Sequence, residues 1–199
     1  MSLNVKCYPK GMYMENTYVV TDEATGLKAV IDPGFISDDV KADIGNASDL
    51  KYILLTHGHD DHYKAAEEFV AEYPDAEFAV PEKDKGLIYD KANRISCPAA
   101  DTYLKEGDTV KLGESDLNVI ETPGHTAGGL CFVTDNEVFT GDTLFKLSVG
   151  RSDLPTGDWD TLLNSIKEKL YTLDETLVVY PGHGGDTTIE YEKRANPFV

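Results

Sequence analysis

The chain contains only five histidines, His57, His59, His62, His125 and His183, and they fall into three groups. Three lie within Thr56-His57-Gly58-His59-Asp60-Asp61-His62; the others belong to Thr122-Pro123-Gly124-His125 and Tyr180-Pro181-Gly182-His183-Gly184. Each group directly follows a short apolar run, and so does Asp142, after Val138-Phe139-Thr140-Gly141. Neutral imidazole and carboxylate are good zinc ligands and also suit iron and manganese. With Asp61 and Asp142 the candidates number seven, more than one ion needs. His57 and His59, two positions apart, can face one ion from a strand end, while the adjacent Asp61 and His62 turn towards a neighbour. Glycines beside the candidates (Gly58, Gly124, Gly141, Gly182) let backbone pass close to such a cluster. A single histidine is ordinarily a core or surface residue. Five at strand ends, three of them sharing a loop with an aspartate, point to a dinuclear metal centre.

Such a centre needs elements that bring remote loops together. Short apolar segments separated by turn signals predict strands over 16–21 and 27–31, joined as a hairpin around Glu23-Ala24-Thr25-Gly26. Further strands are expected at 52–55, 77–80, 117–122, 130–133, 137–140 and 176–180. A helix over 63–73 would place Ala66, Phe69, Val70 and Tyr73 on one face, with Pro74 ending it. A second helix starts at Asp158, a good N-cap, and carries Trp159, Leu162, Leu163, Ile166 and Leu170 as one apolar stripe. Strands with interspersed amphipathic helices indicate a layered α+β arrangement, sheets packed together and helices outside. If the strands share sheets, their ends bring the candidate side chains to one edge.

Composition limits what such a site would serve. At 199 residues, one domain spanning 1–199 is the expectation, and 41% hydrophobic residues supply a sizeable core. The longest apolar runs are four residues, far short of the roughly 20 that a membrane span needs. Eighteen Lys and Arg against 36 Asp and Glu leave a net charge of −18, a field that repels nucleic acid and anionic lipid. An anionic substrate must then be met by a bound metal or by a few selected cations. Cys7, Cys97 and Cys131 are odd in number and widely spaced, so a disulfide framework is not expected and a reducing cytoplasm is the natural setting. Cys131, between Leu130 and Phe132, reads as a core residue.

Taken together, T-H-x-H-x-D-H at 56–62, E-T-P-G-H-T at 121–126, G-D-T-L-F at 141–145 and Y-P-G-H-G at 180–184 resemble the metallo-β-lactamase-fold hydrolases. Within them the chain is similar to the short glyoxalase II-like proteins, over about residues 16–183. The resemblance implies a four-layer αββα sandwich with the metal site at one edge of the two sheets. It implies that His57, His59 and His125 hold a first zinc, that Asp61, His62 and His183 hold a second, and that Asp142 bridges them. Asp61 and Asp142 are the residues this assigns to catalysis, and Asp32 would orient a ligand loop from behind. Two zinc ions are the expected cofactors, with iron or manganese able to take one or both positions. The chain departs from the pattern after His62, where Tyr63-Lys64-Ala65-Ala66 replaces a small residue and Gly-Gly. Tyr63 itself reads either as an aromatic at the site's mouth or, more simply, as core. Only 16 residues follow His183, too few for the helical C-terminal domain of full-length glyoxalase II.

Two metal ions about 3.5–4 Å apart lower the pKa of a shared water towards about 7, so hydroxide becomes available at neutral pH to attack a carbonyl carbon. A thiolate leaves with little acid assistance, since thiols ionise near pH 8.5, roughly. No G-x-S-x-G motif offers a serine nucleophile. Metal-assisted hydrolysis of a small anionic acyl thioester, hydroxyacylglutathione-like, is therefore the expected activity. Lys146 and Arg151, close after Asp142, are candidates for gripping that anion, although Arg151 could equally pair with Asp153. The main alternative is a persulfide dioxygenase-like oxidoreductase. Those proteins resemble the chain across 150–158, and the resemblance would leave His57, His125 and Asp142 holding a single iron.

Overall fold

Alternation along the strands decides which way each side chain faces. The computed structural model describes residues 2–11 and 13–199. Among these, β1 (Leu3–Lys10), β2 (Glu15–Asp22), β3 (Lys28–Ile31), β4 (Leu50–Leu54), β5 (Glu77–Pro81) and β6 (Thr102–Leu104) pair in that order into one sheet. The later strands are β7 (Thr109–Leu112), β8 (Ser115–Glu121), β9 (Leu130–Val133), β10 (Glu137–Gly141), the small hairpin β11 (Leu144–Phe145) and β12 (Ser148–Val149), β13 (Val178–Pro181) and β14 (Thr187–Thr188). Apart from the hairpin they form a second sheet, ordered β14-β13-β10-β9-β8-β7.

In the first sheet Val19, Val30, Ile53 and Phe78 point outward, onto Val40 and Ile44 of α1 (Asp38–Ile44), Phe69 of α3 (Ala66–Glu72) and Ile88 of α4 (Lys85–Ile88). Their alternates Tyr18, Val20, Ala29, Ile31 and Leu54 point the other way and meet Leu117, Val119, Phe132 and Phe139 of the second sheet. On its far face the second sheet presents Cys131, Val138 and Val179 to Leu162 and Ile166 of α5 (Trp159–Glu168) and Ile189 of α6 (Ile189–Ala195). The result is helix, sheet, sheet, helix, the expected α+β layering, and Cys131 is core as expected. Strands β3 to β5 are covered on both faces, which is why they read as nearly unbroken apolar runs.

Strand direction sets where the loops emerge. β3, β4 and β5 run parallel, and β10 runs parallel to β13. β8 shares the direction of β10 because β9 is antiparallel to both. The loops that follow β3, β4 and β5 carry Asp32, His57 and Asp84, and those that follow β8, β10 and β13 carry His125, Asp142 and His183.

Two expectations need correction. The helix expected over 63–73 is broken: α2 (Asp60–Tyr63) ends early, and α3 begins at Ala66. The backbone N–H of Ala65 donates to the Pro33 carbonyl (2.9 Å) instead of continuing a helical ladder, while Ala66, Phe69 and Tyr73 keep their place in the core. The second helix begins as expected, the Asp158 side chain accepting from the Thr161 N–H (2.8 Å), but Trp159 is not part of its buried stripe. It is 42% exposed and rests edge-on against Phe198. β1, β6, β7 and helices α1, α4 and α6 had no clear sequence signal. No helix among the described residues is long and apolar enough to cross a membrane.

Candidate metal centre

His57 lies in the loop between β4 and α2 and His62 within α2, and both are buried. The ring of His57 lies 4.1 Å from that of His62, 4.9 Å from His59 and 4.8 Å from His125, measured between centroids. Nδ1 of His59 is 2.8 Å from Nε2 of His125. A second group forms beside this one: Nε2 of His62 lies 3.3 Å from Nε2 of His183, which is 3.5 Å from Asp61 Oδ2. Asp142 stands between the groups. Its carboxylate oxygens lie 3.4 Å from Nε2 of both His62 and His125 and 3.5 Å from Nε2 of His183. All seven residues singled out from the sequence thus converge.

On His57, His62, His125 and His183 the outward nitrogen faces a fixed partner, which orients each ring with its other nitrogen toward the cluster. His62 Nδ1 faces Asp32 Oδ2 (2.9 Å), His125 Nδ1 faces the Arg151 carbonyl (2.5 Å), and His183 Nδ1 faces the Tyr13 carbonyl (2.9 Å). His57 Nδ1 contacts Thr56 Oγ1 (3.0 Å), whose hydroxyl and N–H both donate to Asp32 (2.7 and 2.8 Å). Asp32 adopts a left-handed backbone (φ 52°), uncommon for a residue with a side chain, which turns its carboxylate under the cluster. Gly182 passes so close that a Cβ there would lie 2.2 Å from Asp142 Oδ1 and 2.7 Å from His62 Cε1.

The donor set fits divalent metal. His57, His59 and His125 offer ligand atoms that all lie within 4.8 Å of one another, as do Asp61, His62 and His183. His57 Nε2 and Asp142 Oδ1 are buried with no hydrogen-bond partner among the described residues, an expense that a cation would offset. Burial pushes His57 well below the ordinary imidazole range and His59 down to about 4, so both stay neutral, as ligation requires. Burial opposes charge on His62 and His183 too, but the carboxylates of Asp142 and Asp32 around His62, and that of Asp142 beside His183, together outweigh it and raise both. The same histidines hold Asp142 well below its usual value against the effect of burial.

Outside the cluster, Tyr63 belongs to the core and not to the mouth of the site. Arg151 pairs with Asp153 through two hydrogen bonds (2.6 and 2.7 Å) and contributes its carbonyl, not its guanidinium, to His125. Lys146 is exposed at the turn of the β11–β12 hairpin. Two residues escaped the sequence reading. Asp84 is buried and accepts from Gly58 N–H (2.8 Å), Thr126 Oγ1 (2.7 Å) and Gly128 N–H (2.7 Å), tying the His57–His59 loop to the His125 loop. It follows the end of β5, on the same edge as the ligands, and a search of all strand ends for carboxylates would have included it. Asn16 donates to the carbonyls of Pro181 and Gly184 (2.9 and 2.8 Å) and so holds the His183 loop.

The profile of the metallo-beta-lactamase superfamily matches residues 11–183. The hydroxyacylglutathione hydrolase GloC of Haemophilus influenzae is 35% identical, over 99% of this chain and 98% of that protein. TTHA1623, solved in a di-iron-bound form, is 35% identical with a TM-score of 0.84, over 98% of this chain and all of the other. ETHE1 from Myxococcus xanthus superposes with a TM-score of 0.79 at 29% identity, over 98% of this chain and 83% of that one.

Proposed function

The chain belongs to the metallo-beta-lactamase superfamily, and on that footing we propose that it hydrolyses small anionic acyl thioesters, hydroxyacylglutathione-like, at two divalent metal ions. His57, His59 and His125 would hold one ion; Asp61, His62 and His183 would hold the other, with Asp142 shared. Zinc suits these ligands, and the di-iron form of TTHA1623 supports iron as an alternative. One observation carries the reading: a carboxylate stands within 3.4–3.5 Å of imidazoles from both three-ligand groups. The whole-length similarity to GloC supports the substrate class.

When bound, the ions supply ionised water at neutral pH and Lewis-acid stabilisation of a developing oxyanion. The protein's part is positional. Asp142 sets the spacing of the two groups, and Asp32 and Thr56 hold His62 and His57 in one tautomer and orientation. The Arg151 carbonyl does the same for His125. Lys146 and Arg151 stand near enough to the shared aspartate in sequence to meet an anionic thiol arm, Arg151 by exchanging Asp153 for substrate. No buried acid is required for the leaving group, because a thiolate departs unprotonated.

Metal analysis of protein purified without added metal, followed by a thioester panel, tests this. The expected result is two metal ions per chain, hydrolysis of S-D-lactoylglutathione or a related thioester, and loss of turnover in Asp142→Ala with the fold retained. The likeness to ETHE1 and the sequence resemblance across 150–158 support a second reading, persulfide oxygenation at a single iron. One iron per chain with oxygen uptake on glutathione persulfide would decide for it.

A further inference from the structure

The surroundings of the two ligand groups differ. Next to the His57–His59–His125 group, the buried Asp84 accepts from three donors. Next to the Asp61–His62–His183 group is Glu15, only 3% exposed, in the wall of a cavity of about 830 Å³ that opens beside Asp61. Glu15 Oε2 accepts from the Thr17 hydroxyl (3.3 Å), but Oε1 is buried with no hydrogen-bond partner among the described residues. His57 Nε2, His59 Nε2 and Asp142 Oδ1 share that condition, and for them a cation would relieve it.

Glu15 is tied to every member of the second group. Its backbone pairs with His183 in an antiparallel bridge, and the adjacent Asn16 N–H donates to the Gly182 carbonyl (2.8 Å). Gly34 lies so close to both the Glu15 carboxyl and the Asp61 carbonyl that a Cβ there would collide with each. Burial pushes Glu15 up to about 9; His62 opposes the shift, and the Asp32 and Asp61 carboxylates add to it. Such a carboxyl is short of positive charge. An ion held by Asp61, His62 and His183 would supply it. Glu15 is outside the sets of ligand atoms that lie within 4.8 Å of one another, so its part is to act across the ligands and not to coordinate.

We propose that Glu15 is a positioning residue for the second ion, strengthening its binding to the Asp61–His62–His183 group and leaving the His57–His59–His125 group unaffected. The proposal rests on the two-ion part of the reading above and is independent of the substrate.

Stepwise zinc titration of metal-free protein against a chromophoric chelator tests this without recourse to turnover. Asp61→Asn, which removes a ligand of the second group, identifies the step that belongs to it. Glu15→Gln keeps the size of the side chain and removes its charge. It should weaken that same step by about tenfold or more and leave the other within about twofold. The urea midpoint of metal-free Glu15→Gln should equal or exceed that of the parent, because burial penalises a neutral amide less than a carboxylate. A residue that merely braced the fold would lower it. Unchanged zinc steps, equal weakening of both, or a loss of affinity accompanied by a lower urea midpoint overturns the proposal. A parent protein that takes up a single zinc overturns it together with the two-ion reading. Two zinc steps with the expected dependence on Glu15, but no hydrolysis of any thioester, instead refute the thioesterase reading and uphold the role of Glu15.

Discussion

Asp84 offers the sharpest check on how the metal centre is held together. Its Oδ2 accepts from the Gly58 N–H and the Thr126 hydroxyl, and its Oδ1 from the Gly128 N–H, so one buried carboxylate joins the loops that carry His57, His59 and His125. Burial pushes its acidity down, and the three donors work against that by stabilising the charge. In Asp84→Asn the amide oxygen can replace Oδ2, but the amide NH2 then faces the Gly128 N–H, leaving one buried donor unsatisfied at a cost of about 1–3 kcal/mol. Asp84→Ala abandons all three donors. Allowing for non-additivity, about 3–5 kcal/mol is expected, a large share of the roughly 5–15 kcal/mol that holds a domain folded. Urea unfolding of metal-free protein measures that term. Competition with a chromophoric zinc chelator, under conditions where both variants remain folded, measures the positional one, and outer partners of metal ligands typically contribute about 10–100-fold in affinity. Asp84→Asn should weaken zinc by about that factor. Unchanged zinc affinity in a destabilised Asp84→Asn would show that Asp84 only braces the fold and does not position the ligands.

Two further outcomes follow from close packing and from burial. Gly182→Ala places a Cβ 2.2 Å from Asp142 Oδ1, so the carboxylate must move; metal affinity should fall, and thioester kcat/KM should drop on the order of 100-fold. The same zinc competition and a steady-state assay read both, and near-normal activity would mean the loop yields without disturbing Asp142. Burial pushes the Cys97 thiol up from 9.0 to about 12. Between those values the unfolded chain loses this proton while the folded chain keeps it, so the unfolded state binds fewer protons and stability falls as pH rises. The contribution is complete below pH 9 and disappears as pH rises through 12. Cys97→Ala should therefore show a shallower decline in urea midpoint between pH 8 and 11 than the parent; an identical decline would place the thiol in solvent.

Much of the candidate site was legible before any coordinates, because metal ligation restricts residue types so strongly. Five histidines at strand ends with Asp61 and Asp142 among them form a pattern that core packing has no reason to produce, and all seven side chains meet. The strands that carry them were legible for a related reason: β3, β4, β9 and β10 are buried on both faces and read as apolar runs. Edge strands were not. β1 alternates mostly exposed residues and owes its place to pairing with β2, a contact that no local propensity records. The break between α2 and α3 was hidden likewise, since the apolar face of 66–73 continues a helical pattern across a bond from Ala65 to Pro33, 32 residues earlier in the chain.

By itself the order of residues determined which groups could do chemistry and that they stand at the ends of strands, because side-chain type and hydrophobic period are local properties. Only the tertiary structure decided which backbone and side-chain groups hold them. The Arg151 and Tyr13 carbonyls, the Asp84 carboxylate between two loops and the Asn16 amide on the His183 loop all act across long sequence separations. So does the cavity beside Asp61, whose walls come from four separate stretches of chain. These features arise because two sheets press face to face and bring their parallel strand ends to one edge, and contacts made that way leave no period or motif in a single segment.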